Sequence, residues 1–107
     1  MDLIRLCEEW KELCVLLENA AEHIEKGISE SMTVLQEVIE KIDRILPIWS
    51  EFIAYTEFGT VEELTADLES IFYGIEKQDE VLLQDAILFG LKKRTELYIQ
   101  VVNEALA

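Results

Sequence analysis

His23 is the only histidine in the chain, and Cys7 and Cys14 are the only cysteines. These side chains are the first candidates for binding a metal or attacking a substrate. A di-iron site in a helical bundle needs two Glu-x-x-His units, and His23 has Ala20 three residues before it. A zinc site would have to recruit Cys7 or Cys14, both on the same predicted helix as His23. A histidine near the end of that helix is favoured there by the helix dipole alone. The two cysteines are seven residues apart, about 10.5 Å along one helix, which is too far for a disulfide. A reactive thiolate needs a cationic neighbour, and the nearby residues are Glu8, Glu9 and Glu12. With Ala21 the cysteines form a stripe of small residues that would let a neighbouring helix approach. The expected metal set is therefore none.

The carboxylates are numerous. Glu8 and Glu12 share one helix face, as do Glu18, Glu22 and Glu25, and such stripes belong to solvated faces. A calcium loop, with alternating acids around a central glycine, is absent. Asp85 differs because it lies inside the apolar segment Val81 to Phe89. It is either a partly buried group paired with an arginine, and so a candidate site, or a group turned to solvent. No nucleophile elbow, phosphate-cradling loop or dinucleotide fingerprint occurs. The chain reads as a non-enzyme that needs no cofactor.

Nine lysines and arginines stand against 23 aspartates and glutamates, for a net charge of −14 and a pI near 4.3. Phosphate backbones and anionic lipid surfaces both require a cationic footprint, so neither nucleic acid nor membrane is an expected partner. The one basic cluster, Lys92-Lys93-Arg94, is suited to pairing with acids on a neighbouring helix or subunit. Half of the residues are apolar, enough for a core and too many for a disordered acidic tail. No apolar run approaches the roughly 20 residues of a membrane span, and the first residues lack the charge pattern of a signal peptide. The expected location is the cytoplasm, with both thiols reduced.

Helical periodicity supplies the elements that must position these groups. Leu3, Leu6, Trp10, Leu13, Leu17, Ala20 and Ile24 recur at alternating steps of three and four, the seam of a heptad. Helix 1 is expected over about 2–26, with Gly27 as its stop. Ser29 or Ser31 can cap helix 2, expected over about 30–58. It contains Pro47, which deletes a backbone bond and clashes with the Asp43 carbonyl. The apolar phase continues through Pro47, so the spacing predicts one kinked helix closed by Gly59. Thr60-Val61-Glu62-Glu63 has the form of a capping box, with Phe58 and Leu64 placed for a hydrophobic staple. Helix 3 should end near Glu76 or Lys77. Asp79 should cap helix 4, which continues almost to the C-terminus. Gly74 and Gly90 fall inside helical patterns, as expected where helices 3 and 4 touch closely.

One domain, 1–107, is expected: an all-α, antiparallel up-down four-helix bundle with a Pro-kinked second helix and a short third helix. Helices 1, 2 and 4 come to roughly 37–43 Å and helix 3 to about 25 Å. If helix 3 starts at the far end of helix 2, the tip around Gly27 lacks two helices, leaving Ile24, Ile28, Met32 and Leu35 short of cover. Helix 4 would then overrun the other end with Tyr98, Val101, Val102 and Leu106. Incompletely covered ends predict a partner or a second subunit. The richest apolar run, residues 45–58, carries more apolar side chains than one stripe can hold. Aromatic side chains there match the composition of interface hot spots. The expected partner contacts are Ile48, Trp49, Phe52, Tyr55, Phe58, Tyr98 and Val102.

The segment Ile75-Glu76-Lys77-Gln78-Asp79-Glu80-Val81-Leu82-Leu83-Gln84-Asp85-Ala86-Ile87-Leu88 resembles a helical segment of uncharacterised proteins of Gram-positive bacteria. Their pattern is an aspartate, a few residues, then Leu-x-Asp and apolar residues. Where that family often has Leu-Glu-Tyr-Glu, this chain has Ile87-Leu88-Phe89-Gly90. In size, acidity and helix count the chain also resembles small bacterial export chaperones, including those of the flagellar system. That resemblance implies binding of an amphipathic partner helix and brings no catalytic residue with it. The expected role is a protein-binding module that packs a partner helix; a structural homodimer is the alternative, and a small-molecule or metal-dependent enzyme is the third reading.

Overall fold

Asp2 opens the first helix, its carboxylate accepting the Arg5 amide at 3.0 Å. This satisfies one of the donors that a helix leaves unpaired at its start. The computed structural model describes residues 2–56 and 61–107. Among these residues there are four helices and no strand. Helix α1 is Leu3–Ile24, α2 is Ile28–Ala54 and α3 is Glu62–Lys77. Helix α4 spans 80–106 in three consecutive parts: Glu80–Asp85, a π-helical stretch Ala86–Leu91, and Lys92–Leu106.

Helix α1 follows the heptad reading closely. Leu6, Trp10, Leu13, Leu17, Ala20 and Ile24 are all buried. Gly27 makes the turn to α2 at φ +127°, where a side chain would be strained. No side chain caps α2. The Ser31 hydroxyl instead donates to the Ile28 carbonyl at 2.6 Å, inside the first turn, so the expected serine cap is corrected. Helix α2 runs through Pro47 as one element and ends at Ala54, short of the expected 58. The Gly59 stop, the Thr60 hydroxyl and the Phe58 staple lie outside the described residues. Asp79 caps α4 as expected, accepting the Leu82 amide at 3.0 Å. Between α3 and α4 the turn is made by Gln78 in the left-handed region, at φ 51°.

Two sequence features set how α4 packs. A Cβ on Gly74 would lie 3.1 Å from the Cα of Leu83. Glycine is thus what lets α3 approach the start of α4, as its position in the helix suggested. The second feature is the spacing of the inward residues Leu83, Ile87, Leu91 and Thr95, three successive steps of four. In an ideal α-helix each such step overshoots a full turn by about 40°, and the stripe would swing away from the core. The wider turn of the π-helical stretch, closed by bonds to the fifth residue, takes up the surplus. The Thr95 hydroxyl, fully buried, donates to the Leu91 carbonyl at 2.8 Å.

Cross-helix contacts fix the register. Cys7 Sγ meets Asn103 Oδ1 at 3.3 Å, and Gln84 Nε2 donates to the Ala21 carbonyl at 3.0 Å. Helix α4 therefore lies along the whole of α1, against the small-residue stripe of Cys7, Cys14 and Ala21. The end of α3 reaches the start of α2, where Ile28, Ser29 and Met32 share a depression with Ile75 and Gln78. This corrects the expectation for Ile24 and Leu35 at the bundle tip, while Ile28 is half-buried and Met32 is exposed. Ile24 and Leu35 are buried there, because α3 is displaced toward Gly27 rather than away from it. At the other end Tyr98 and Val102 are buried as well, and Leu106 remains exposed.

The centre of the core is aromatic. The rings of Trp10 and Trp49 meet edge to face at 5.3 Å, and Tyr98 stacks at 4.3 Å from Trp49 and 5.1 Å from Trp10. Phe52 adds a fourth ring, 5.3 Å from Trp49. Edge-to-face and tilted pairs of this kind add to the stabilisation that burial alone supplies. One residue each from α1, α2 and α4 thus meets at a single point.

Candidate functional site

The expected partner contacts divide sharply by burial. Trp49, Tyr98 and Val102 are 0–1% exposed and Phe52 is 6% exposed. Trp49, Tyr98 and Phe52 belong to one ring cluster with Trp10 and Val102 to the same buried core, so they form interior rather than a free binding surface. Ile48 is half-buried and Tyr55 is exposed; Phe58 lies outside the described residues. The extra apolar side chains of the 45–53 stretch are explained by this aromatic core. Asp85 is exposed, which agrees with the second of its two readings, a group turned to solvent.

The residues with reactive potential have structural settings. His23 is half-buried and its Nδ1–H donates to the Asn19 carbonyl at 2.7 Å. Burial pushes the Cys14 thiol up to about 11, with the nearby Glu96 adding to the shift and Lys92 opposing it. At pH 8 its alkylation should therefore run about 100-fold slower than that of an unhindered cysteine, because the thiolate is the nucleophile. Mass spectrometry after timed iodoacetamide treatment of a Cys7→Ser variant measures this directly; rapid labelling at Cys14 would contradict it. Among the described residues, no group of three or more side chains is arranged to hold a metal ion. No helix is long and apolar enough to cross a membrane.

Charged side chains join three of the helix pairs. Between α1 and α2, Lys41 Nζ donates to Glu9 Oε2 at 2.7 Å and to Glu12 Oε2. Lys92 reaches Glu18 of α1 at 3.1 Å. Arg94 joins α4 to α3, with Nε on Asp67 Oδ2 at 2.5 Å and Nη1 on Glu63 Oε2 at 3.1 Å. The Lys92–Arg94 cluster is thus largely spent on neighbouring helices. The Lys41 clamp has a pH signature. The hydrogen bond and charge of Lys41 hold the Glu12 carboxyl below its ordinary 4.5. Burial would lower Lys41, but its bonds to Glu12 and Glu9 outweigh this and raise it. A lowered carboxyl contributes stability above its unfolded value and loses it as pH falls through the folded one. Glu12→Gln should accordingly be less stable than the parent at pH 6 and equal to it near pH 2. Urea midpoints at the two pH values read this; a gap that persists at low pH would contradict it.

Two of the surface grooves run along α2. One, of about 500 Å³, lies between α1 and α2 and is lined by Val15 and Leu16 among five charged residues, including Lys41 and Arg44. The other, of about 520 Å³, lies between α2 and α3 and has an apolar floor of Met32, Leu35, Ile39, Phe72 and Ile75. Its only charged lining residue is Glu40. Met32 and Ile75 continue into the adjoining depression at the Gly27 end, where Glu80 stands. Close packing among the described residues joins α1 to α2, α1 to α4 and α3 to α4, while α2 and α3 form no comparable seam. Phe72 and Met32 are consequently 49% and 44% exposed. The sequence reading missed this groove because it depends on helix register. Phe72 standing off the Leu64, Leu68, Ile71, Ile75 stripe is the one trace of it in the sequence.

Comparison of the chain with protein-family models, with curated proteins and with solved structures finds no match.

Proposed function

We propose that this chain is a non-enzymatic, cytoplasmic protein-binding module that seats an amphipathic helix of a partner protein between α2 and α3. The observation that carries the reading is the unfilled α2–α3 seam, whose floor of Met32, Leu35, Ile39, Phe72 and Ile75 is apolar. Its depth and lining suit the mode in which a helix lays residues i, i+3, i+4 and i+7 into a groove. The four helices alternate up and down, an arrangement supported by the Cys7–Asn103 and Gln84–Ala21 contacts and by the three-residue turn at Gly27. The third helix has 16 residues against 22 and 27 for the first two, and it packs on α4 rather than on α2. Pro47 stands on the exposed face of α2. A bend there, opening toward solvent, would turn Trp49 and Phe52 onto α1 and α4.

A photoreactive amino acid at position 72, introduced in the source cell, tests the proposal. The expected product is a cross-link to another protein within a segment whose apolar residues recur at three and four. Cross-links only to a second copy of this chain would replace the proposal with a structural homodimer. Cross-links to segments without that periodicity would overturn it.

A further inference from the structure

We infer that the helix taken by the α2–α3 groove is cationic at both ends of its apolar face, with two Lys or Arg residues about two to three turns apart. This inference rests on the groove being the binding site and adds the chemistry of its occupant. Glu40 is the last of the α2 residues that line the groove, next to Ile39. Glu80 lines the depression that adjoins its other end, with Ile28 and Gln78. Among the described residues, none that lines either part is Lys, Arg or His. Three nearby cations are engaged elsewhere: Lys41 is bound by Glu9 and Glu12 on the α1 side, Lys77 lies over the Tyr73 ring, and Arg44 lines the α1–α2 groove.

The separation of the two acids sets the spacing on the partner. Glu80 shares its depression with Ile28, Ser29 and Met32, eight to twelve residues before Glu40, so the acids are about 12–18 Å apart along α2. Seven residues of a partner helix cover about 10 Å and eleven about 16 Å, and both spacings return close to the same face. A Lys or Arg pair seven to eleven residues apart therefore reaches both acids, with apolar residues between them on the floor. The same electrostatics disfavour a second copy of this chain as occupant. Its net charge of −14 would repel an identical molecule, whereas a basic segment is drawn in.

Three synthetic peptides of equal length and helicity test the inference by calorimetry against the full chain at low ionic strength. One carries the apolar stripe with Lys at both ends, eleven residues apart. The second has the same stripe with Glu at those positions. The third keeps the end lysines and scrambles the stripe. The first should bind about tenfold or more tightly than the second, the size expected for two solvent-exposed charge pairs against two repulsions. The advantage should shrink severalfold at 0.5 M salt, where screening shortens the reach of exposed charges, and should be halved on a logarithmic scale by Glu80→Gln. The third should not bind measurably. Equal binding of the first two would overturn the cationic inference while leaving the groove as a helix site. Binding of the first and third alike would overturn the groove itself, since charge alone would then account for association. Binding by none of the three would overturn both.

Discussion

Trp49→Ala should lower the unfolding free energy by about 4 kcal/mol, within the range for truncating a buried tryptophan. Trp49 is fully buried and its ring touches Trp10, Phe52 and Tyr98. The loss combines the transfer energy of the indole, the cavity left among three aromatic rings and the ring-to-ring contacts themselves. A chain of this length has roughly 5–15 kcal/mol of stability, so the variant keeps only a fraction of it. Each kcal/mol corresponds to about 4 °C or more in a domain near this size, and the melting temperature should fall by about 15 °C or more. Thermal and urea melts followed by circular dichroism measure it. A fall under about 1 kcal/mol would mean that the aromatic cluster is not the centre of the core.

Phe72→Asp should have the opposite profile, with a large effect on binding and a small one on folding. Phe72 is half exposed at the rim of the α2–α3 groove, so its removal costs the fold little, about 1 kcal/mol or less. An aromatic anchor at the centre of an interface is typically worth about 2 kcal/mol or more, or about 30-fold in affinity. A buried carboxylate against an apolar partner face adds a desolvation cost. The lysine-ended peptide should therefore lose at least about 30-fold in affinity for Phe72→Asp. Val15→Asp, in the groove between α1 and α2, should leave its affinity unchanged. Calorimetric titration of the two variants, with their melts as a folding control, reads both effects. Equal weakening by Val15→Asp would show that the peptide does not seat specifically between α2 and α3, since added negative charge alone attracts a lysine-ended peptide.

What was legible in the sequence follows from what local spacing can encode. The α1 seam from Leu6 to Ile24, the Asp79 cap and the close approach at Gly74 were all legible, because each depends on a few consecutive residues and their turn chemistry. The aromatic stretch around Trp49 was legible as unusual but not as interior. Burial of Trp49 requires Trp10 and Tyr98 to arrive from helices 39 and 49 residues away in sequence. The position of α3 along the bundle was the decisive unknown. Its length was near the expected value, yet the link after α2 left open which end of the bundle it would leave bare. Packing of Gly74 on Leu83 and of Arg94 on Asp67 places it at the Gly27 end. In that register Ile24 and Leu35 are buried while Met32 stays exposed, and the seam beside Phe72 is left unfilled. The π-helical stretch had a signal, the three successive steps of four from Leu83 to Thr95, which is incompatible with a straight stripe on an ideal α-helix.

The most direct measurement is amide chemical-shift mapping of the isotopically labelled chain as the lysine-ended peptide is added. Shifts should concentrate in residues 28–40 and 68–80, the two walls and the Gly27 end of the groove, and should saturate with a single binding event. Shifts centred on Val15, Leu16 and Arg44, or spread over the acidic surface without saturating, would contradict a helix site between α2 and α3.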